Sequence, residues 1–233
     1  IMSNNKFIIA IPARLDSKRL PGKVLELIGD KTMLFRVMKN SIDIPNIEDT
    51  FLCTDSKLIA NEARELPIKV ILKTGNFSSG TDRISNSTIE ILKNLNLKDN
   101  FSLDKLYIIN IQADQPFIDK SLIKNFIYNI NKMNSPELVT AYFKKEYNFF
   151  KDSHDLVKLT TSDLSKKVLY FSRSLIPHIN TSKLQKIEKS NNSFIKFHIG
   201  VYAYRFDILQ SWNGLKTSQL EKYESLEQLR WLD

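Results

Sequence analysis

Across the first 143 residues, short apolar runs alternate with segments whose apolar residues recur at helical spacing, and few chains with that pattern can avoid a layered α/β architecture. Phe7 to Pro12, Thr50 to Thr54, Lys69 to Leu72, Leu106 to Gln112 and Leu138 to Phe143 read as strands. Between them, Met33 to Ser41, Ser56 to Glu65, Thr81 to Leu95 and Lys120 to Met133 read as helices; the last places Ile123, Phe126, Ile127 and Ile130 on one face. Strand, helix, strand in steady succession predicts a Rossmann-like, mostly parallel sheet flanked by helices.

After Lys151 the pattern changes. Leu156 to Thr161, Val168 to Ser172 and Lys196 to Arg205 read as strands joined by polar turns, which predicts an antiparallel β insertion in the C-terminal half. Asn180 to Ser193 is polar and aperiodic and reads as a surface loop, and Leu220 to Trp231 reads as a helix. The 233 residues fit one domain, with residues 1–150 as a nucleotide-binding core and residues 151–233 as insertion strands and a sugar-binding and dimerisation region once the resemblance below is taken into account.

Composition excludes several classes. One cysteine, Cys53, rules out an intrachain disulfide and a cysteine-rich zinc module. No run of about 18 apolar residues occurs, and residues 1–6 lack the apolar stretch of a secretion signal, so a cytoplasmic protein with no membrane span is expected. The net charge of +8 raises the possibility of nucleic-acid binding, but 26 of the 34 cations are lysines spread along the chain, with no basic stripe and no recognisable nucleic-acid module. The eight arginines are more informative, because a guanidinium is the planar fork suited to phosphate and carboxylate.

Two of those arginines fall in one loop. Ile11 to Lys23 places Arg14, Lys18, Arg19, Lys23 and Gly22 just beyond the first strand, where open α/β sheets bind ligands. The loop is neither a Walker motif nor a dinucleotide fingerprint, and a solvated basic loop is the alternative.

With its neighbours the loop becomes specific. Ala10-Ile11-Pro12-Ala13-Arg14, Ser17 and Arg19-Leu20-Pro21-Gly22-Lys23 resemble the signature of the CMP-Kdo synthetases, the 3-deoxy-manno-octulosonate cytidylyltransferases. Further matches follow in order: Ser79-Gly80-Thr81-Asp82-Arg83, Asn110-Ile111-Gln112-Ala113-Asp114-Gln115-Pro116, Val157-Lys158, Tyr170-Phe171-Ser172-Arg173, Ile176-Pro177, His198 to Tyr202 and Glu224 to Arg230. The resemblance covers essentially the whole chain.

It implies transfer of CMP from CTP to the anomeric hydroxyl of Kdo or a Kdo-like sugar acid, with release of pyrophosphate, for lipopolysaccharide biosynthesis. It also implies Mg²⁺ as cofactor and a homodimer. Arg14, Lys23 and Asp114 become the catalytic candidates, with Asp114 as the metal ligand, since a hard cation is held by carboxylate oxygen together with substrate phosphates. Ala13, Arg14, Arg19, Lys23, Ser79, Gly80, Thr81 and Arg83 become the CTP-binding set. Gln112, Arg173, His198, Glu227 and Gln228 become the sugar-binding set, Arg173 first because the sugar's carboxylate needs a cationic partner. Each has a plainer alternative: turn chemistry for Asp114, a helix cap for Ser79 or Thr81, a structural histidine for His198, a solvated helix face for Glu227 and Gln228.

The sequence departs from the family pattern at Phe77 (usually His), Ala113 (Gly) and Gln115 (Glu), and its 233 residues contain no Asp-Thr-Pro, the motif carrying a further metal-binding Asp. A CMP-sialate or related nonulosonate synthetase is the alternative enzyme; Arg19-Leu20-Pro21 and Tyr170 to Arg173 favour the Kdo type.

Overall fold

A computed structural model describes residues 5–16, 21–146, 153–180 and 194–233. The chain divides into two compact units, residues 1–139 with 201–214 and residues 140–200 with 215–233. The units interleave in sequence, because residues 138–146 and 194–205 each carry the chain from one to the other.

In chain order the elements are β1 (Lys6–Ala13), a 3₁₀ turn (Lys23–Leu25), β2 (Leu27–Ile28), β3 (Lys31–Thr32), α1 (Met33–Ser41), β4 (Asp49–Thr54), α2 (Lys57–Asn61), β5 (Lys69–Leu72), α3 (Gly80–Asn86), α4 (Thr88–Asn94), a 3₁₀ turn (Leu103–Lys105), β6 (Leu106–Asn110), α5 (Lys120–Lys132), β7 (Leu138–Glu146), β8 (Lys158–Thr161), β9 (Val168–Ser172), β10 (Phe194–Arg205), α6 (Phe206–Ser211), a 3₁₀ turn (Trp212–Gly214), α7 (Gln219–Glu224) and a closing 3₁₀ turn (Glu227–Trp231).

The first unit is built on parallel strands in the order β5-β4-β1-β6, with the end of β10 antiparallel beside β6 through Tyr202↔Asn110 and Arg205↔Tyr107. β6 is buried throughout and β1 from Phe7 onward, so each reads as a continuous apolar run without alternation, as expected of strands covered on both faces. The helices are capped by the residues their sequences offer. Thr32 accepts from Phe35 N at 3.1 Å to start α1, and Asp119 accepts from Ser121 N at 2.8 Å to start α5, each contributing about 1 kcal/mol. α5 buries Ile123, Phe126, Ile127 and Ile130, the face its spacing predicts.

In chain order the parallel strands are β1, β4, β5 and β6. β1 is thus followed outward on one side by β4 and flanked on the other by β6. The order reverses between β1 and β6, the switch point where such sheets take ligands beyond their C-terminal ends.

The second unit contains the expected antiparallel strands. β8 pairs β9 through Lys158↔Ser172 and Leu159↔Phe171, and the start of β10 pairs β8 through Lys196↔Leu159. Leu159 and Phe171 form a buried cluster with Leu226 and Leu229, so the C-terminal segment closes over the β8–β9 pair.

Three expectations need correction. The helix read over Thr81 to Leu95 is two helices divided at Ser87, whose hydroxyl donates to Arg83 O at 2.8 Å while Thr88 donates to Ser85 O at 2.8 Å. Such local side-chain bonds offer the backbone an alternative to helix continuation. The helix read over Leu220 to Trp231 breaks at Ser225, which is left-handed at φ 53°. The helix read over Ser56 to Glu65 is regular only over Lys57–Asn61 and then tightens into i→i+3 turns, with Glu62 N donating to Ile59 O and Leu66 N to Ala63 O. The loop read over Asn180 to Ser193 lies outside the described residues apart from its first residue.

Candidate functional site

The first unit gathers the phosphate and base candidates at the C-terminal ends of its strands. β1 ends at Ala13, which is buried, and the next residue, Arg14, is exposed. The loop returns at Gly22, whose N–H donates to Leu15 O at 2.9 Å and whose φ of 71° lies in the left-handed region that glycine adopts without steric cost. That turn delivers Lys23. Its Nζ lies 3.0 Å from Oδ2 of Asp114, in the turn after β6, so residues 91 apart in sequence meet across the switch point. Arg19 lies outside the described residues.

Gly80 begins α3 beside the same strand ends. A Cβ there would stand 3.0 Å from Pro12 Cγ and 3.2 Å from Gln112 Oε1, so a residue larger than glycine would have to displace the Pro12 ring or the Gln112 amide. Gln112 in turn donates from Nε2 to Asn110 Oδ1 at 3.1 Å. Ser79 is the cap of α3, accepting from Asp82 N at 3.1 Å. Thr81 is buried, with its hydroxyl 3.0 Å from the Tyr204 hydroxyl.

Arg83 is no surface cation. Its side chain is only 5% exposed, Nη2 donates to Asp55 Oδ2 at 2.8 Å, and the guanidinium lies 4.7 Å from the ring centroid of Phe77. Phe77 therefore stacks on the arginine at the position where the family pattern usually has His. Nη1 of Arg83 is buried and has no hydrogen-bond partner among the described residues. Cys53, also near Arg83, is buried, and burial pushes its thiol up to about 12.

In the second unit Arg173 follows β9. Its guanidinium donates to three backbone carbonyls, Nε to Glu224 O at 2.8 Å, Nη1 to His154 O at 3.2 Å and Nη2 to Ser225 O at 3.4 Å. Lys158 is buried and donates to Arg173 O at 2.7 Å and to Ser153 O; burial, then the nearby Arg173 charge, pulls its ammonium below the usual lysine range. His198 has Nε2 2.9 Å from the Thr140 hydroxyl and meets the Phe171 ring edge-on at 5.0 Å, and burial pushes its pKa down to about 4, so it is neutral at pH 7. Gln228 is buried and Glu227 half-buried on the closing 3₁₀ turn, where the sequence reading had a solvated helix face as the alternative. Glu221 binds Arg230 in a two-pronged ion pair, Nε to Oε2 at 2.7 Å and Nη2 to Oε1 at 2.5 Å, which joins α7 to that turn.

Among the described residues no three or more His, Cys, Asp or Glu side chains gather into a cage for a metal ion. Asp114 stands as a single half-exposed carboxylate beside Lys23. That donor set suits a magnesium ion that keeps water and substrate phosphate among its ligands, and not one enclosed by protein. No helix among the described residues is long and apolar enough to cross a membrane.

Asp55, Lys158 and Glu224 are supporting residues to which the sequence analysis gave no role at the site. Lys158, through its Val-Lys match, and Glu224, at the start of the last motif, carried a signal; Phe77 was visible as a departure from the family pattern, but its stacking on Arg83 was not.

Comparison with known proteins bears on the family and the fold. Residues 8–233 match the cytidylyltransferase family. The 3-deoxy-manno-octulosonate cytidylyltransferase of Rickettsia prowazekii is 36% identical over 233 residues, covering 100% of this chain and 85% of the relative. Its counterpart in Thermodesulfovibrio yellowstonii is 34% identical over 228 residues, covering 97% and 86%. A solved structure of CMP:2-keto-3-deoxy-manno-octonic acid synthetase complexed with CTP superposes with a TM-score of 0.82 at 28% identity, covering 98% of this chain and 86% of that one. With strand order, loop motifs and full-length similarity in agreement, the chain belongs to the cytidylyltransferase family.

Proposed function

We propose that this protein transfers CMP from CTP to the anomeric hydroxyl of 3-deoxy-manno-octulosonate or a close sugar acid, releasing pyrophosphate. The observation that carries the reading is the meeting of Lys23 and Asp114 at the β1/β6 switch point. A cation and a carboxylate placed together at the strand ends are what a nucleoside triphosphate with its counter-ion requires, and relatives 34–36% identical along the chain bear the name of this activity.

Both reactants are anions, so the principal task is to neutralise charge as the α–β phosphoanhydride bond breaks. Arg14 and Lys23 serve the triphosphate, with Lys23 exchanging its carboxylate partner for phosphate oxygen. Asp114 would hold Mg²⁺, which supplies further neutralisation on the phosphates. Gly80 leaves room for the base to approach the start of α3, where backbone groups do the reading, since Ser79 is engaged as a cap and Thr81 is bonded to Tyr204. The unpartnered Nη1 of Arg83 is a donor for the same edge. Arg173 takes the sugar's carboxylate, while neutral His198 orients with Thr140 and carries no charge into the reaction at pH 7. A homodimer working in the cytoplasm completes the reading, and sedimentation of the purified protein tests the dimer.

Pyrophosphate release from CTP and Mg²⁺ with 3-deoxy-manno-octulosonate, its 8-amino analogue and sialic acid tests the function. Turnover with one of the first two is expected. Silence with all three sugars refutes the proposal, and turnover with sialic acid alone reassigns the substrate.

A further inference from the structure

We infer that Glu224 is a positioning residue for Arg173, and that the C-terminal end of α7 presets this arginine as a two-pronged receptor for the sugar acid's carboxylate. The inference rests on the reading of Arg173 as the sugar ligand and adds what makes it one.

Arg205 and Arg230 show what a structural arginine does in this protein. Each is paired fork to fork with a carboxylate, Asp207 and Glu221, and its charge is spent there. Arg173 has an acid at hand in Glu224 and does not use it that way. Glu224 turns its carboxylate to the end of β9, accepting from the Ser172 hydroxyl at 2.6 Å and from the Arg173 backbone N–H at 2.8 Å. Among the described residues the guanidinium donates to carbonyls only, and no carboxylate forms an ion pair with it.

The source of two of those carbonyls explains the arrangement. Glu224 ends α7 and Ser225 caps it at φ 53°, so their carbonyls are among the last of the helix, which lack helical partners and carry the negative end of its dipole. They hold a cation without cancelling its charge. From the other side Lys158 grips Arg173 O. The backbone and the base of the fork are thus fixed at N–H, C=O and Nε. A guanidinium has five N–H donors, and the three carbonyl bonds leave one on each terminal nitrogen. Two parallel donors with an uncancelled charge match the two oxygens of a carboxylate.

The test compares Glu224→Ala, Glu224→Gln and Arg173→Ala by steady-state KM for the sugar acid and for CTP, with a thermal melt of each. Glu224→Ala is expected to raise the sugar KM by about tenfold or more while the CTP KM stays within about twofold, because a misplaced fork loses one of its two bonds. Glu224→Gln is expected to restore most of that loss. Its amide oxygen accepts from Arg173 N–H, and its NH₂ donates to a rotated Ser172 hydroxyl. A rise in both KM values, or in neither, overturns the inference, as does failure of Glu224→Gln to rescue, which would mean that the charge itself acts. Should Glu224→Ala not fold, Glu224→Asp withdraws the oxygens by one methylene and carries the same test. If Arg173→Ala alone raises the sugar KM, Arg173 keeps its role and the positioning falls. If Arg173→Ala changes nothing, the reading of Arg173 falls and the inference with it.

Discussion

Removing Lys23 or Asp114 should separate folding from function by a wide margin. Their ion pair is 3.0 Å long, but the two side chains are 40% and 49% exposed, so water screens the attraction. Pairs of this kind contribute about 0.2–1 kcal/mol. For a protein of this size 1 kcal/mol shifts the melting temperature by about 2–4 °C, so Asp114→Ala or Lys23→Ala should melt within a few degrees of the parent. Turnover should respond on another scale, because in the proposed reaction Lys23 would meet the negative charge that develops as pyrophosphate departs and Asp114 would hold the cation that shares this task. Loss of one preorganised charge typically costs on the order of 10²-fold or more in rate, equivalent to about 2.7 kcal/mol. The double variant should lose less than the product of the single losses, since both residues serve the same phosphates in the proposed reaction. Thermal denaturation and pyrophosphate release on the three variants measure both quantities. A melting temperature lowered by ten degrees with activity falling in step would show that the pair holds the loops together. Unchanged turnover in Asp114→Ala would remove that residue from the phosphate site.

Other consequences follow from particular side chains. His198 is held near pKa 4 against an ordinary value of 6.5, so the unfolded chain binds the proton first as pH falls; stability should drop between about pH 6.5 and pH 4 by on the order of 3 kcal/mol, and urea titrations should show a smaller drop in His198→Gln. Gly80→Ala places a methyl 3.0 Å from Pro12 Cγ and 3.2 Å from Gln112 Oε1, so calorimetric titration should find CTP binding weakened about tenfold even though alanine is the better helix former; unchanged affinity would show that the strand ends yield freely. Cys53, buried with its thiol pushed up to about 12, should resist a thiol reagent at pH 8 in the native protein and react fully in denaturant.

The sheet was readable because its central strands are covered on both faces. Residues such as Phe7 to Ile11 and Leu106 to Ile109 then have no polar partner to alternate with, and the run itself marks the strand. Helix ends were less readable, since Ser87 and Ser225 interrupt apolar spacing that continues beyond them. At Ser87 hydroxyl bonds to the preceding turn compete with the helix, and at Ser225 the left-handed turn lets Leu226 and Leu229 reach Leu159 and Phe171. The β2–β3 hairpin was invisible because strands of two residues show no period.

Site residues were readable by type and place, but their electrostatic state was not, and the arginines show why. Scarcity drew attention to all eight arginines, and the motifs of the resemblance selected Arg14, Arg19, Arg83 and Arg173 among them. A guanidinium's use depends on which acceptors the fold brings to it, and those come from distant segments: Asp55 to Arg83 across 28 residues, Glu224 and Ser225 to Arg173 across 51 and 52. A carboxylate partner consumes the charge, whereas carbonyl partners fix the group and leave the charge to act outward. Arg14, exposed after a buried strand end, keeps its charge by a third route, having a rigid base and a solvated head. Three cations alike in sequence therefore differ in what an incoming anion would meet. Arg83 has half its fork committed to Asp55, Arg14 must be ordered by the anion itself, and Arg173 is already in place. The entropy of ordering a long side chain, about 2 kcal/mol, is already paid at Arg173 and still owing at Arg14. On the proposed reading of Arg173, inserting a glycine after Ser225 should therefore raise the steady-state KM for the sugar acid and leave that for CTP within about twofold; an unchanged sugar KM would show that the α7 carbonyls do not preset the guanidinium.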